Sequence, residues 1–198
     1  ESFTVGAFAG VANGSFEDAA PGATVIPKGW GRNVTALAGW TEADGITIEQ
    51  LEGGNGGGFA PYGGAWAIDM QELLEHPSLG QSYIVETDPA TQANLTLSQQ
   101  IAIDPWTPLT VSLWMYPPIG SLTDRLIVTW QDASGTTTQT FTPSGTTWEN
   151  ATLAVAAPMD GTVTTGTLTV DTAADAEAHP ADSIGIYVDA VTVAQDVD

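Results

Sequence analysis

A chain of 198 residues is long enough for one β-sandwich or barrel domain with a substantial core. Three basic residues against 24 acidic ones give a formal net charge of −21, which excludes the basic stripe that nucleic-acid binding requires and disfavours anionic membranes and polyuronates as partners. The absence of cysteine excludes thiol nucleophiles, thiolate zinc sites and disulfides, and no apolar run approaches the roughly 20 residues that membrane insertion as a helix requires.

The first part of the chain has few periodic patterns. Strands are predicted over 47–51 and 65–70, on either side of a glycine-dense loop over 53–64. Residues 69–76 have helical spacing, ended by Pro77, and predict a single helical turn.

From residue 94 onward, alternation of apolar and polar residues predicts a series of strands. In the segment 94–103 the leucines and isoleucines fall on one face, and in 109–116 Val111, Leu113 and Met115 do the same. Turn-forming residues separate further predicted strands over 125–131, 136–142, 149–155, 162–170 and 184–193. With no internal linker, the pattern predicts a single all-β domain over 1–198, an antiparallel β-sandwich with the jelly roll as leading topology.

Short segments at both ends of the chain resemble one family. Val11–Glu17 (VANGSFE), followed by Gly29 and Trp30, is similar to the opening of galactose-binding-like jelly-roll modules, and Gly185–Val191 (GIYVDAV) is similar to their last strand. These modules include the carbohydrate-binding modules of families four, nine and twenty-two and related exported β-sandwich domains of unknown function. Their central strands resemble Leu97–Gln100 and Leu109–Trp114, and Trp148 stands where they often carry a tryptophan.

The resemblance implies a structural calcium ion. In these modules the opening Glu and the closing Asp bind calcium with backbone carbonyls, which implies Glu17 and Asp189 as the side-chain ligands here. The residues support this independently, because a strand in which Asp189 shares a face with Tyr187, Val191 and Val193 would bury its carboxylate. A buried carboxylate needs a cation or several hydrogen-bond donors, and calcium takes six to eight oxygen ligands. The alternative is that Asp189 accepts backbone N–H groups at a strand end.

Two details qualify the metal prediction. Ala190 replaces a frequent second Asp of the family, which leaves one oxygen ligand open. An acidic loop could hold a second ion but lacks the spacing and central glycine of an EF-hand, so a solvated charged loop is expected there. Its acidic residues are Asp171, Asp175, Glu177 and Asp182.

Aromatic side chains are candidates for binding a sugar, because the C–H face of a sugar stacks on an aromatic ring. Trp114 and Tyr116 share the strand face opposite the apolar one and stand about 7 Å apart, a usable pitch for adjacent sugar units. Trp40, Tyr62 and Trp66 flank the glycine-rich loop and would line the rim of such a site.

Burial in the core is the competing interpretation of the tryptophans. A sandwich has two buried inner faces, and we expect Trp30, Trp130 and Trp148 to belong to them. For Trp114 the core and the binding platform both remain open.

Catalytic interpretations have less support. His76 and His179 each precede a proline and lack metal-ligand spacing, and a Gly-x-Ser-x-Gly motif is absent. A glycosidase pair of carboxylates depends on separation in space. Its candidates would be Glu42, Asp44, Glu49, Glu52 and Asp69.

The sequence therefore predicts a noncatalytic carbohydrate-binding module with structural calcium, not an enzyme, whose partner is a neutral polysaccharide or glycan. The alternative is a structural or adhesive domain of a large cell-surface, extracellular or virion protein without a sugar site. The chain starts at Glu1 without a leader-like segment, so we expect either a removed signal peptide or, preferably, a module of a larger exported protein whose other domains are further partners. Both hypotheses place it outside the cell or on its surface.

Overall fold

A computed structural model describes residues 10–27, 31–43, 48–52, 66–69, 71–72, 93–116, 125–145, 147–173 and 186–195. This part of the chain forms strands and no helix. The strands are β1 (Val25–Pro27), β2 (Gly31–Val34), β3 (Thr41–Glu42), β4 (Ile48–Glu52), β5 (Trp66–Asp69), β6 (Gln71–Glu72), β7 (Ala93–Asn94), β8 (Thr96–Ala102), β9 (Leu109–Tyr116), β10 (Arg125–Asp132), β11 (Gly135–Phe141), β12 (Glu149–Val155), β13 (Thr165–Ala173) and β14 (Tyr187–Gln195).

Two antiparallel sheets build the domain. One has seven strands in the order β1-β2-β4-β5-β14-β9-β12, and the other has five in the order β11-β10-β13-β8-β3, with β6 and β7 forming a separate pair. Buried side chains of both sheets form one hydrophobic cluster between them. The predicted all-β antiparallel sandwich is thus confirmed.

The second half of the chain follows its apolar alternation closely. Strands β9 and β12 have the predicted bounds, and the predicted inward residues Val111, Leu113 and Met115 are all buried. Among the described residues, β8 places Leu97 and Ile101 in the core, and Gln99 lies on the same face.

The predicted helical turn over 69–76 is wrong where the structure describes it. Asp69 ends β5, and Gln71–Glu72 forms β6, which pairs with Ala93–Asn94. Pairing with a strand distant in sequence outweighs the weak helical spacing of so short a segment. Residues 73–76 lie outside the described part of the chain.

Trp130 is a core residue, as the sequence predicts. Its ring is 1% exposed and lies across Gly166 of β13, where a built Cβ would overlap the indole carbons. Its Nε1 donates a hydrogen bond of 3.0 Å to Asp132 Oδ2, so the polar edge is satisfied.

No helix long and apolar enough to cross a bilayer occurs in the described residues.

Candidate functional site

Strand β14 contains a β-bulge at the segment that the sequence singles out. Asp189 pairs with Trp114 of β9, and Thr192 pairs with Ser112, so two residues of β14 oppose one residue of β9 between these pairs. Ala190 within the bulge has a positive φ of 49°. The bulge therefore shifts the alternation of β14 by one residue.

This shift decides which face each side chain takes. Tyr187 and Asp189 lie on the face of the sheet that carries Trp114, whereas Val191 and Val193 are buried in the core. The prediction that Asp189 shares a face with Val191 and Val193 is wrong, because the bulge lies between them. The expected burial is nevertheless present, since Asp189 is 0% exposed, and its Oδ1 accepts a 2.6 Å hydrogen bond from the amide of Ala190.

The opening segment forms a turn against this bulge, which we call the N-terminal turn (residues 12–17). The amide of Val191 donates to the Gly14 carbonyl at 2.8 Å, and a Cβ built on Gly14 would overlap the Val191 carbonyl oxygen. Only glycine permits this approach of two backbones. Glu17 and Asp189, the predicted calcium ligands, therefore belong to two segments that touch.

Asn13 closes the N-terminal turn through its side-chain amide. Its Oδ1 accepts from the Asp18 amide at 3.1 Å, and its Nδ2 donates to the carbonyls of Asp18 and Ala38 at 2.8 and 3.2 Å. Asn13 and Phe16 both have positive φ, 49° and 56°, which these bonds and the burial of the Phe16 ring support.

Two buried glutamines, one from each sheet, hold the N-terminal turn. Gln99 accepts from the Ala12 amide at 2.7 Å and donates back to the Ala12 carbonyl at 3.0 Å. Gln50, 0% exposed, donates to the Phe16 carbonyl. These bonds tie the turn to both layers of the sandwich.

Arg32 adds the only basic contact that the described residues make with the turn. Its Nε donates to Gln50 Oε1 at 2.7 Å, and its Nη2 donates to the Glu17 carbonyl at 2.9 Å. Of the turn carbonyls, those of Asn13 and Gly14 also accept protein hydrogen bonds. The Asn13 carbonyl accepts from both the Phe16 amide and Trp40 Nε1, each at 3.1 Å, so both of its lone pairs are used. The Gly14 carbonyl accepts one bond from the described residues and keeps a second lone pair.

These donors suit calcium in their chemistry. Two carboxylates and several carbonyls are all oxygen ligands, which is the set that calcium takes. The described residues contain no group of three or more His, Asp or Glu placed to bind a metal, so an ion held by Glu17 and Asp189 would draw its other ligands from the backbone and water. The residues present therefore fit calcium, with the backbone of the N-terminal turn as the main further source of ligands.

Trp40, predicted at the rim of a binding site, lies instead in the core. It is 7% exposed, packs against Phe16 with ring centroids 5.4 Å apart, and donates Nε1 to the Asn13 carbonyl at 3.1 Å. That prediction is wrong, since a buried ring presents no face to a ligand. Tyr62 lies outside the described residues, and of Trp66 only the backbone, in β5, is described.

Four aromatic side chains gather on the outer side of the seven-stranded sheet. We call Trp114, Tyr116, Trp148 and Tyr187 the aromatic face; all four are half-buried. The Tyr116 ring lies 5.5 Å from that of Trp148 and 5.9 Å from that of Tyr187, the latter pair being nearly parallel at 13°. For Trp114, open between core and platform in the sequence, the structure shows the face away from the core, which it shares with Tyr116.

Two members of this face were not predicted. Trp148 was expected in the core, but it precedes β12, which runs beside β9, and its ring meets Tyr116 there. The sequence does not predict Tyr187 as a member of this face, although Tyr187 is directly paired with Tyr116 in the sheet. The alternation of β14 places Tyr187 opposite Val188, and only knowledge that β14 neighbours β9 would have joined it to Tyr116.

Hydrogen bonds fix the surroundings of the aromatic face. Glu149 accepts from the amides of Ser144 and Gly145 at 2.9 and 2.6 Å, which orders the loop that leads to Trp148. Below Trp114, Asn150 donates to Ser112 Oγ at 2.8 Å. Polar side chains with defined hydrogen-bond partners, Glu149 and Asn150, therefore lie beside the rings.

Of the described residues that are candidate carboxylates of a hydrolase, two are directly paired in the sheet and the others lie apart from them. By backbone register Glu49 pairs with Asp69, and Asp69 pairs with Tyr187, whereas Glu42 belongs to the other sheet. Glu52 pairs with Trp66, and Asp44 lies outside the described residues.

No protein-family model matches the chain, and no curated protein matches it. Among solved structures, it is similar to the carbohydrate-binding module TmCBM61 in complex with beta-1,4-galactotriose, with 12% identity over 80% of this chain and 90% of that one and a TM-score of 0.50. It is similar to the Stig cyclase Fisc from Fischerella sp. TAU, with 12% identity over 96% and 98% of the two chains and a TM-score of 0.54.

A third similar structure is the CBM22-1–CBM22-2 tandem domain of Paenibacillus barcinonensis Xyn10C, with 10% identity over 82% of this chain, 47% of the tandem and a TM-score of 0.51. At such identities the likeness establishes the fold and nothing finer. The chain thus has the jelly-roll β-sandwich fold of carbohydrate-binding modules, as its opening and closing segments predict.

Proposed function

We propose that the chain is a noncatalytic carbohydrate-binding module whose aromatic face binds a neutral glycan. The observation that carries this proposal is the grouping of Trp114, Tyr116, Trp148 and Tyr187 on the side of the sheet that faces away from the core. These four rings lie outside the hydrophobic cluster between the two sheets, so they are not part of the core of the sandwich.

The chemistry of this face suits a sugar. Aromatic rings take the C–H face of a pyranose, and Tyr hydroxyls with the Asn150 and Ser112 side chains provide donors and acceptors for its hydroxyl groups. The net charge of −21 repels anionic polymers, which supports a neutral ligand.

The similar structures support the proposal at the level of fold. One of them was solved with a galactotriose bound, and another is a tandem of carbohydrate-binding modules. The similar cyclase shows that the same fold also carries catalysis, so function here rests on the aromatic face.

A structural calcium ion, held by Glu17 and Asp189, completes the proposal. Its support is the fully buried Asp189 carboxylate and the contact between the N-terminal turn and the bulge of β14. Calcium would neutralise the carboxylates and join the two ends of the domain. An extracellular location would supply both calcium and glycans.

A neutral-glycan array in calcium buffer, repeated after chelation, tests the binding proposal. We expect binding that Trp114→Ala abolishes and that Thr138→Ala, an exposed change on the other sheet, leaves intact. Silence across the array with folded protein would overturn the proposal and favour a structural or adhesive domain.

A further inference from the structure

Trp106 is exposed at the end of the sandwich, in the loop between β8 and β9. The side chain is 55% exposed, and its backbone has a φ of 69°, a conformation that bulky residues rarely adopt. In the described residues it has no hydrogen bond and no aromatic partner. Such a conformation persists only where the surroundings enforce it, and it is concentrated at ligand sites.

The loop around Trp106 is held by one side chain. Gln195, at the end of β14, accepts from the Asp104 amide at 2.8 Å and donates to the carbonyls of Asp104 and Thr107 at 2.9 and 3.3 Å. Three hydrogen bonds from one amide group therefore fix the backbone on either side of Trp106. The ring is positioned by this frame and not by burial.

Gly161 provides the seat for the indole. A Cβ built on Gly161 would lie 3.0 Å from Trp106 Nε1 and 3.5 and 3.6 Å from Cε2 and Cζ2. The ring thus rests against a residue without a side chain, and about half of the Trp106 surface is open to solvent.

An exposed carboxylate directly precedes the glycine on which the indole rests. Asp160 is exposed and accepts from the amide and hydroxyl of Thr162, bonds that hold the pKa of its carboxyl below the ordinary value and keep it ionised.

We propose that Trp106 forms a second sugar site, which takes one pyranose unit. The C–H face of the sugar would stack on the indole, and its hydroxyl groups would donate to the exposed carboxylate of Asp160. An exposed ring on a fixed backbone, beside a carboxylate with acceptor capacity to spare, matches a ligand that is apolar on one face and rich in hydroxyl donors at its edge.

This site is separate from the aromatic face. Trp106 precedes the first residue of β9, and Tyr116 is its last, so the length of the strand separates them by about 24 Å. The inference extends the proposed function to a second site without depending on the first. A polysaccharide that reached both sites would bind with avidity, which can exceed either single affinity by about a hundredfold.

Fluorine NMR on protein labelled with 5-fluorotryptophan separates the two sites in one titration. Trp106→Phe and Trp114→Phe assign the two resonances, and the probes are the methyl β-glycosides of glucose, galactose, xylose and mannose. We expect the Trp106 resonance to shift along a saturable curve with a dissociation constant of about a millimolar. The Trp114 resonance reports the aromatic face in the same spectra.

Gly161→Ala is the matched variant, because its Cβ displaces the indole edge while leaving Trp106 present. We expect it to weaken the Trp106 response at least fivefold and to leave the Trp114 response unchanged. A Trp106 resonance that stays constant with every probe overturns the second site, whether or not Trp114 responds. A Trp114 resonance that stays constant while Trp106 shifts counts against the aromatic face alone.

Discussion

The N-terminal turn and the aromatic face lie beside the same strand, β14, but differ in how their polar groups are used. In the turn, Asn13, Gly14 and Glu17 all make hydrogen bonds within the protein, and Phe16 fills the core. The aromatic face consists of half-buried rings on the outer surface. The segment that carries the resemblance to known modules, Val11–Glu17, thus makes contacts that stabilise the fold.

The difference has a consequence for how such chains are interpreted. The Val11–Glu17 segment marks the fold because almost every residue of it is needed to join the two sheets. The outer rings lie outside the hydrophobic cluster between the sheets, so substitutions there leave this core intact. We therefore expect substitutions in the N-terminal turn to lower stability more than glycan affinity, and substitutions in the aromatic face to lower glycan affinity more than stability.

The largest effect is expected for Gly14→Ala. The added Cβ overlaps the Val191 carbonyl oxygen, and because both groups are backbone, the turn and the bulge must separate. We expect a loss of about 3 kcal/mol or more in the free energy of unfolding, measured by urea denaturation. Gly22 lies in open space with a positive φ, which Gly14 lacks, so Gly22→Ala measures backbone strain without any clash. Equal losses in the two variants would contradict the close approach.

Asp189→Ala tests whether the stability of this region depends on calcium. At calcium concentrations a hundredfold above its dissociation constant, the ion would contribute about 2.7 kcal/mol. For a chain of this size that corresponds to a fall of about 5–10 °C in Tm for the variant, measured by calorimetry. In chelator the wild type and the variant should melt close together.

The same loss with and without chelator would show that Asp189 acts through its hydrogen bond to the Ala190 amide, not through a metal. Asp189→Asn provides the matched control, since it keeps the shape and one acceptor while removing the charge.

Trp114→Ala should show the opposite balance. We expect at least a tenfold loss of glycan affinity, equivalent to about 1.4 kcal/mol, with a smaller loss of stability than Gly14→Ala causes. Isothermal titration with the best array ligand measures the first and urea denaturation the second. Tyr116→Phe, which keeps its ring, should retain most of the affinity. Unchanged affinity in Trp114→Ala would remove the aromatic face from the binding site.

Much of this architecture could be predicted from the sequence, and the failures have physical causes. Apolar alternation is strong in β9 and β12, so their bounds and inward residues were predictable. The alternation of β14 was misjudged after Asp189, because a bulge depends on which strand lies beside it and on the Gly14 carbonyl that meets it. Sequence periodicity contains neither kind of information.

The site was less predictable than the fold for the same reason. Trp114 and Tyr116 share one strand, and period-two alternation was enough to place them together. Trp148 and Tyr187 join them only through the neighbours that the topology supplies, β12 and β14. Trp40 was misplaced because its partner Phe16 is distant in sequence, and nothing local distinguishes a tryptophan of the core from one at a rim.

The smallest effect is expected for Asp160→Asn, which contrasts an exposed carboxylate with the buried Asp189. Hydrogen bonds from the Thr162 amide and hydroxyl lower the pKa of Asp160 in the folded state below its ordinary value of 3.8. The stabilisation is therefore fully present above pH 3.8 and is lost as the pH falls through the lower folded-state value. Urea denaturation at a series of pH values should show the wild type slightly more stable than the variant at neutral pH, with the gap closing in acid. A difference in stability that widens in acid would mean that the ionised Asp160 carboxylate does not stabilise the turn.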